Sequence, residues 1–353
     1  MTPTNLITGA AGFIGSNLAR TLLDQGHRVI GIDNFVTGSR ENITHLTKHP
    51  NFTFIQQDIT KPINLKSEIR NLKSVYHLAC PTGVPNLTKL AEEMLLSCSV
   101  GTMNVLNLAR KNKAHVVFTS SSEAYGNPKE SPQKESYTGN VDPRGIRSPY
   151  EEGKRFSESL CMMYQRKYGI DVRIVRIFNT YGPNMSMKDQ RVIPAFMRQI
   201  MNNKPLTLHG DGSQIRTFCY VDDLVSALTT VMEKGKAGMV YNAGGDEQVS
   251  IRELAELVLK IANSKPHFVP TYVGTSSGKQ STVNSRKQTS TSKNSSRLPI
   301  TDYRLLTTSV ARPKHDHDSR LPDLTKIKRL GWRQKVSLQK GLLKTLKWYN
   351  TAS

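Results

Sequence analysis

The chain has 353 residues, of which 37% are hydrophobic, and this length allows about two domains or one α/β unit with a smaller lobe. No apolar run is long enough to cross a bilayer, and the amino terminus enters a strand pattern without a signal peptide. We therefore expect a cytoplasmic protein without a membrane span. The formal net charge of +21 allows acidic partners, although a basic proteome or a basic tail explains most of the excess better.

The four cysteines lie at positions 80, 98, 161 and 219, far apart in the sequence and without Cys-x-x-Cys spacing. This arrangement favours neither a metal site nor a disulfide framework. We expect buried thiols, because free cysteine behaves as a small apolar side chain.

The first predicted strand, residues 5–8, runs directly into Gly9-Ala-Ala-Gly12-Phe13-Ile14-Gly15, and residues from Ser16 onward have helical spacing. Glycines in such a turn allow the backbone to approach a pyrophosphate, which the amino terminus of the helix then faces. A second predicted strand, residues 28–33, ends in Asp33, followed by Asn34. An acid there can hydrogen-bond an adenine ribose and repel a ribose phosphate, which favours NAD over NADP.

Apolar segments continue to alternate with helical ones through residues 52–56, 74–78 and 115–120. This alternation predicts an α/β protein with a Rossmann-type, doubly wound parallel sheet and a smaller C-terminal substrate-binding lobe. Ligands of such sheets bind at the carboxyl ends of the strands. The residues expected on that side are Asp58, Ile59, Leu78, Ala79 and Ser120-Ser-Ser-Glu123.

Tyr150 and Lys154 are four residues apart, so both side chains share one helix face. An ammonium beside a phenol favours the phenolate and makes tyrosine a usable base. Ser121 can hold a sugar hydroxyl in line with that phenolate, and Glu123 could act as an acid or base if burial raised its pKa. A helix cap or turn remains the alternative role for Ser121 or Ser122.

The glycine turn, Ser121 and Tyr150-x-x-x-Lys154 resemble the extended short-chain dehydrogenase/reductase family, whose members modify nucleotide sugars on tightly held NAD. Four segments are most similar to its UDP-glucuronate decarboxylase branch. They are Ser120-Ser-Ser-Glu-Ala-Tyr-Gly126, Tyr150-Glu-Glu-Gly-Lys-Arg155, Arg176-Ile-Phe-Asn-Thr-Tyr-Gly-Pro183 and Gly212-Ser-Gln-Ile-Arg-Thr-Phe218. The resemblance implies NAD-dependent decarboxylation of UDP-glucuronate to UDP-xylose through a 4-keto intermediate.

The resemblance also implies roles for individual residues. The catalytic set would be Ser121, Glu123, Tyr150, Lys154 and Arg216. The NAD site would comprise Gly9, Gly12, Phe13, Ile14, Gly15, Asp33, Asn34, Asp58, Ile59, Leu78, Ala79, Tyr150 and Lys154. The UDP-sugar would contact Ser122, Asn179, Arg191, Arg216 near the carboxylate or C4, and Arg320 at the UDP. Family members form homodimers through the helices near residues 99–111 and 150–168.

The expected division places residues 1–178 mainly in the NAD-binding domain, and residues 179–273 and 314–350 mainly in the nucleotide-sugar lobe. Residues 274–313 form a polar, basic insertion, whose composition predicts disorder. The insertion has no interleaved aromatic residues for base stacking, so a nucleic-acid partner is not favoured.

Three positions depart from the decarboxylase pattern, namely Leu87, Cys98 and Asn184. A 4,6-dehydratase or a 4-epimerase therefore remains open as an alternative activity. A non-catalytic scaffold that binds NAD and a nucleotide sugar is the alternative from another class, although it would have no need for Ser121, Tyr150 and Lys154 together.

Overall fold

A seven-stranded parallel sheet organises the residues that the computed structural model describes, which are 3–63, 65, 71–263, 307–311 and 319–352. In chain order the strands are β1 (Thr4–Thr8), β2 (Arg28–Asp33), β3 (Phe52–Gln56), β4 (Leu72–His77), β5 (His115–Ser121), β6 (Val172–Ile177), β7 (Thr180–Tyr181), β8 (Leu206–His209), β9 (Ile215–Thr217), β10 (Cys219–Tyr220), β11 (Val240–Ala243), β12 (Gln248–Ser250), β13 (Thr307–Val310) and β14 (Ser319–Arg320). The large sheet has the order β11-β6-β5-β4-β1-β2-β3.

The helices of the described residues flank this sheet and build the lobe. They are α1 (Phe13–Asp24), α2 (Asn86–Lys89), α3 (Ala91–Leu96), α4 (Thr102–Asn112), α5 (Ser148–Tyr168), α6 (Val192–Met201), α7 (Val221–Lys234), α8 (Ile251–Asn263), α9 (Thr325–Arg329) and α10 (Leu338–Ala352). A π-helical turn, Ser97–Gly101, joins α3 to α4, and a 3₁₀ turn, Ser122–Tyr125, follows β5.

The strands of the large sheet are apolar because both faces of the sheet are covered. Val116 and Phe118 of β5 belong to a core with α4 and α5, whereas Val117 belongs to a core with α1 and α7. The order in which strands are added reverses at β1: β2 and β3 lie on one side of it, whereas β4, β5 and β6 follow on the other, with β4 parallel to β1. Such a switch point opens a crevice at the carboxyl ends of the strands, so the structure confirms the predicted doubly wound fold.

The lobe consists of small sheets and the helices α6, α8, α9 and α10. In one of these sheets β9 lies between β12 and β14. Ser250 and Glu253 form the reciprocal hydrogen bonds of a capping box at the start of α8, from Glu253 N to Ser250 Oγ (3.1 Å) and from Ser250 N to Glu253 Oε2 (2.8 Å).

The boundary between sheet and lobe is less simple than the sequence suggested. The predicted lobe includes α7 and β11, but β11 pairs with β6 in the large sheet and α7 packs against α1 and β5. A four-residue strand such as β11 has too few residues for its apolar pattern to reveal its partner.

Most of the predicted insertion, 274–306 and 312–313, lies outside the described residues. Inside it, however, Thr307–Val310 forms β13, which pairs with β8 in parallel. These four residues therefore depart from the expected disorder, because backbone hydrogen bonds to β8 order a polar segment that has little apolar surface to bury. No helix in the described ranges is long and apolar enough to span a membrane.

Candidate active site

A cavity of about 1220 Å³ lies at the carboxyl ends of the strands, between the large sheet and the lobe. It brings together most of the predicted site residues. They are Gly9, Gly12, Phe13, Ile14, Gly15, Asp33, Asn34, Asp58, Ile59, Leu78, Ala79, Ser121, Ser122, Glu123, Tyr150, Lys154, Asn179 and Arg191. Arg216 and Arg320 are absent from the described lining of this cavity.

The glycine turn between β1 and α1 has no room for side chains. A Cβ on Gly15 would lie 2.1 Å from the Gly9 carbonyl oxygen, and Gly9 itself has a φ of +75° with its Cβ position 2.9 Å from Ala79 N. Because Gly12 caps α1 without a side chain, the first N–H groups of the helix remain available to an anion. This bare backbone cradle fits a pyrophosphate.

Asp33 lies at the end of β2, beside the glycine turn. Its carboxylate accepts hydrogen bonds from Ala11 N (Oδ2, 3.0 Å) and Phe35 N (Oδ1, 2.8 Å), which joins the end of β2 to the glycine turn. Burial raises the pKa of Asp33, and these backbone N–H groups oppose that rise. A Cβ on Gly38 would lie 2.8 Å from Asp33 Oδ1, so the wall around this carboxylate is close-fitting. The residues therefore fit an adenine ribose at this position.

Tyr150 and Lys154 project from the first turns of α5 towards the end of β5. Lys154 Nζ donates to the Thr119 carbonyl oxygen at 2.9 Å and lies 5.9 Å from the centre of the Tyr150 ring. Burial raises the pKa of Tyr150, while the Lys154 ammonium and a hydrogen bond with Ser121 lower it only in part. The pairing predicted from sequence is present, but the protein's own groups do not make the phenolate dominant at neutral pH.

Glu123 differs from the sequence expectation in its pKa. Burial alone would raise the pKa of its carboxyl, but the guanidinium groups of Arg320 and Arg147 hold that pKa well below its usual range. Both arginines form ion pairs with it, Arg147 at Oε2 and Arg320 at Oε1. The raised pKa on which the predicted acid or base role depended is therefore not found, because the two arginines outweigh burial. The catalytic role of Glu123 stays a prediction.

Arg147 is a cavity residue that the sequence analysis missed. It lines the cavity, contacts Glu123, and donates from Nε to Glu151 Oε1 at 3.1 Å. Its position three residues before Tyr150 gave no signal, because a single arginine near a helix start is ordinary on a protein surface. Arg147 meets Glu123 only because the tertiary fold brings the residue before α5 next to the turn that follows β5.

The two arginines of the lobe have different environments. Arg216 on β9 and Arg320 on β14 are partners in the strand register. The buried Arg320 reaches Glu123 and donates from Nη2 to the Gly126 carbonyl oxygen at 3.2 Å. The half-buried Arg216 donates from Nη1 to the carbonyl oxygen of its neighbour Ile215 at 2.9 Å. Arg320 is therefore a lobe arginine in contact with Glu123, while the role of Arg216 near the substrate carboxylate or C4 stays a prediction.

Of the three positions that depart from the family pattern, Asn184 has a structural reason. Asn184 has a φ of +68° and donates from Nδ2 to Ser16 Oγ at 3.0 Å, a backbone conformation that asparagine tolerates better than long side chains do. Leu87 lines the cavity. Cys98 lies in the π-helical turn, where its sulfur meets that of Cys80.

A glycine cradle at the switch point, an acid at the end of β2, and serine, tyrosine and lysine at the end of β5 and the start of α5 define an NAD-dependent short-chain dehydrogenase/reductase of the extended type. The family model described as GDP-mannose 4,6 dehydratase matches residues 6–345. The chain belongs to this family of the extended short-chain dehydrogenases/reductases.

Relatives of known activity narrow the comparison. The chain is 38% identical to UDP-glucuronic acid decarboxylase 1 of Arabidopsis thaliana over 96% of this chain and 67% of that protein. It is 37% identical to UDP-glucuronic acid decarboxylase 5 of the same plant over 96% of this chain and 86% of that protein. It is 35% identical to UDP-glucuronic acid decarboxylase 1 of Danio rerio over 98% of this chain and 72% of that protein. The chain thus spans about two thirds of the first of these relatives.

Two solved structures with NAD share the fold. The dTDP-glucose 4,6-dehydratase DesIV from Streptomyces venezuelae superimposes with a TM-score of 0.79 at 27% identity, covering 99% of this chain and 97% of that one. The UDP-glucuronic acid 4-epimerase from Bacillus cereus was solved in complex with UDP-glucuronic acid and NAD. It superimposes with a TM-score of 0.79 at 26% identity, covering 99% of this chain and 100% of that one. NAD is the cofactor of this chain, as the cradle and Asp33 indicate.

The two ion pairs of Glu123, with Arg147 and Arg320, lead to a stability prediction. Glu123→Gln leaves the buried Arg320 and the partly buried Arg147 without their shared carboxylate, so the free energy of unfolding at pH 7 is expected to fall by about 3 kcal/mol. Because the folded-state pKa of Glu123 is depressed, its contribution is complete above the unfolded pKa of about 4.3 and declines as the pH falls below it. The difference between wild type and variant should therefore shrink towards pH 3, as measured by urea unfolding.

Glu152→Gln is the matched control for this comparison, because Glu152 pairs with Arg155 at 3.3 Å on the half-exposed surface of α5. Exposed pairs contribute less than about 1 kcal/mol, so this variant should unfold almost like the wild type. Equal unfolding free energies for Glu123→Gln and Glu152→Gln at pH 7 would contradict a stabilising role for the ion pairs of Glu123.

Proposed function

We propose that the chain decarboxylates UDP-glucuronate to UDP-xylose and that it retains NAD through the cycle. The observation that supports this most is a pair of guanidinium groups beside the catalytic residues. Arg147 and Arg320 both pair with Glu123, and Arg147 also pairs with Glu151, so two arginines face two acids. Arginine offers planar, paired donors that match a carboxylate, so these groups can receive the carboxylate of a sugar acid.

When bound, NAD supplies a reversible hydride acceptor for C4 of the sugar together with a positively charged ring. Tyr150 takes the proton of the C4 hydroxyl, and the charge of Lys154 favours the phenolate by lowering the pKa of Tyr150. Ser121, at the end of β5, holds the C4 oxygen from the other side. Lys154 is fixed for this purpose by the Thr119 carbonyl oxygen.

Loss of carbon dioxide follows from the position of the ketone. The C5 carboxylate of a 4-keto sugar is beta to the carbonyl group, so the electrons of the breaking bond can delocalise onto the C4 oxygen. Ser121 and the protonated Tyr150 stabilise that oxygen by hydrogen bonding. C5 of the enolate then takes up a proton, and Tyr150 returns its proton to the C4 oxygen as the ketone is reduced back to the hydroxyl. Arg320 and Arg147 orient the carboxylate, and Glu123 fixes both guanidinium groups rather than giving a proton.

A 4,6-dehydratase must remove the C5 proton and protonate the leaving C6 hydroxyl, so an ionised Glu123 could serve it as the base but not as the acid. The 4-epimerase alternative is favoured by one observation, since the Bacillus cereus enzyme of similar structure binds UDP-glucuronic acid. Recognition of the carboxylate therefore does not separate the two activities, but the product does.

The experiment is incubation of the purified chain with UDP-glucuronate, with and without added NAD, followed by mass spectrometry. A UDP-pentose that has lost carbon dioxide is the expected product. A product of unchanged mass that nuclear magnetic resonance identifies as UDP-galacturonate would replace decarboxylation by epimerisation. No turnover with UDP-glucuronate, but turnover with UDP-glucose or dTDP-glucose, would also contradict the proposal.

The pH profile is expected to report on Tyr150. Burial raises its pKa above the ordinary value of about 10, and the reactive form is the phenolate, so kcat/KM should rise with pH through the neutral range. Lys154→Met removes a charge that lowers this pKa, so the rising limb should move to higher pH. Steady-state rates between pH 6 and pH 10 at saturating NAD test this expectation. A profile that is flat from pH 6 upward, or a limb that moves to lower pH in Lys154→Met, would contradict it.

We also propose a homodimer that forms through α4 and α5. The surface of these helices and of the neighbouring α3 exposes large apolar side chains, of which Phe156 is 52% exposed, Leu95 46% and Met103 40%. Contiguous exposed apolar residues mark contact surfaces. Phe156→Glu is therefore expected to give a monomer in analytical ultracentrifugation, whereas Lys234→Glu, at the far end of α7, should leave a dimer. A wild-type chain that sediments as a monomer would contradict this surface.

A further inference from the structure

Cys80 and Cys98 meet beside the catalytic residues, although 18 positions separate them in the sequence. Their sulfur atoms are 3.7 Å apart. Cys80 follows the end of β4 and lines the cavity, whereas Cys98 is buried in the π-helical turn. The Cys98 sulfur also lies 3.2 Å from the position of a Cβ on Gly153, so it packs against α5 between Tyr150 and Lys154.

This thiol pair differs chemically from the other two cysteines. The pKa of Cys98 falls to about 6, because a hydrogen bond with Cys80 and the nearby Lys154 ammonium outweigh the effect of burial. The pKa of Cys80 rises, because of the same hydrogen bond and of burial. Cys161 and Cys219 are buried where desolvation raises the thiol pKa. A thiolate is the nucleophilic form of cysteine, so reactivity is expected at this pair, in which Cys80 lines the cavity, rather than at Cys161 or Cys219.

We propose that Cys80 and Cys98 form an oxidation site, at which a peroxide produces a reversible disulfide that switches the enzyme off. The Cys98 thiolate attacks a peroxide oxygen, so an S–O bond forms, the O–O bond breaks, and an alkoxide or hydroxide leaves and takes up a proton. Cys80 then attacks the sulfenic sulfur, so the S–S bond forms and water leaves. The two thiols together lose two electrons and the peroxide gains them.

The disulfide must displace a wall of the cavity. A sulfur separation of 3.7 Å has to fall to about 2.05 Å. The Cys98 side is anchored, because Ser157 Oγ donates to the Cys98 carbonyl oxygen at 2.6 Å and also contacts Thr102 Oγ1 at 3.2 Å. The segment of Cys80 therefore moves, and with it Ala79, which lies directly against Gly9 of the phosphate cradle.

Oxidation is thus expected to weaken NAD binding as well as turnover. Displacement of a binding group by about 1 Å can cost about 100-fold in rate, and a loss of this size is expected for the oxidised chain. NAD binding and thiol content are readouts independent of the nature of the sugar, so a failure of this inference is distinguishable from a failure of the proposed decarboxylase activity.

The experiment treats the NAD-loaded, reduced chain with hydrogen peroxide and then removes the peroxide. Intact-mass and peptide mass spectrometry should show the loss of two hydrogens and a linked Cys80–Cys98 peptide. The affinity for NAD and the rate should fall, and dithiothreitol should restore both. Cys80→Ser and Cys98→Ser, each compared with its own untreated sample, should form no such link and should not show the loss that dithiothreitol reverses. Cys161→Ser is the matched control and should respond like the wild type.

Two outcomes would overturn the inference. In the first, peroxide adds oxygen atoms to the wild-type chain without linking Cys80 to Cys98. In the second, the link forms but the NAD affinity and the rate remain those of the reduced chain.

Discussion

Tyr150→Phe is expected to lower kcat by about 10³-fold or more, because it removes the group that takes the C4 proton. The substitution removes one hydroxyl from the cavity lining and leaves the ring in place on α5. Fold and cofactor binding should therefore persist, as measured by circular dichroism and by the NAD released on denaturation. Tyr125→Phe is the matched control, because the Tyr125 hydroxyl donates to Asn242 Oδ1 at 2.8 Å outside the described lining of the cavity.

A Tyr150→Phe chain that turns over UDP-glucuronate at the wild-type rate would contradict the assignment of the base. A scaffold that only binds NAD and a nucleotide sugar predicts that the variant keeps its biological role. Loss of turnover with full NAD occupancy therefore separates an enzyme from a scaffold.

Arg320→Met should lower kcat/KM for UDP-glucuronate by about 10²-fold or more, the size found when a donor at a developing charge is removed. Arg320 contacts Glu123, whereas Arg216 donates to the carbonyl oxygen of its neighbour Ile215, and neither arginine belongs to the described cavity lining. Arg216→Met is therefore expected to cost less than tenfold, or about 1.4 kcal/mol of transition-state stabilisation. Rates measured over a range of UDP-glucuronate concentrations give kcat and KM for both variants.

The comparison of the two variants decides between the two assignments of the lobe arginines. The resemblance places Arg216 at the carboxylate and Arg320 at the UDP, whereas the contacts place Arg320 beside Glu123. A larger loss in Arg216→Met than in Arg320→Met would restore the first assignment. Thermal melting of both variants shows whether either loss reflects unfolding, since Arg320 is buried and Arg216 is half-buried.

The amino-acid sequence determined the fold class and the cofactor side of the site, because those features depend on local patterns. Gly9, Gly12 and Gly15 encode a backbone turn within seven residues, and Asp33 ends an apolar strand that the sequence shows directly. Tyr150 and Lys154 share a helix face by spacing alone. Each of these predictions needs only neighbouring residues.

The tertiary structure alone decided the charge state of Glu123 and the meeting of Cys80 with Cys98. Arg147 and Arg320 reach the same carboxylate from 24 and 197 positions away, and the thiols meet across 18 positions and a π-helical turn. A pKa depends on burial and on charges within a few ångströms, and sequence spacing does not give these distances. The sequence therefore specified which chemical groups the chain has, while the packing of the lobe against the sheet decided which of them act together.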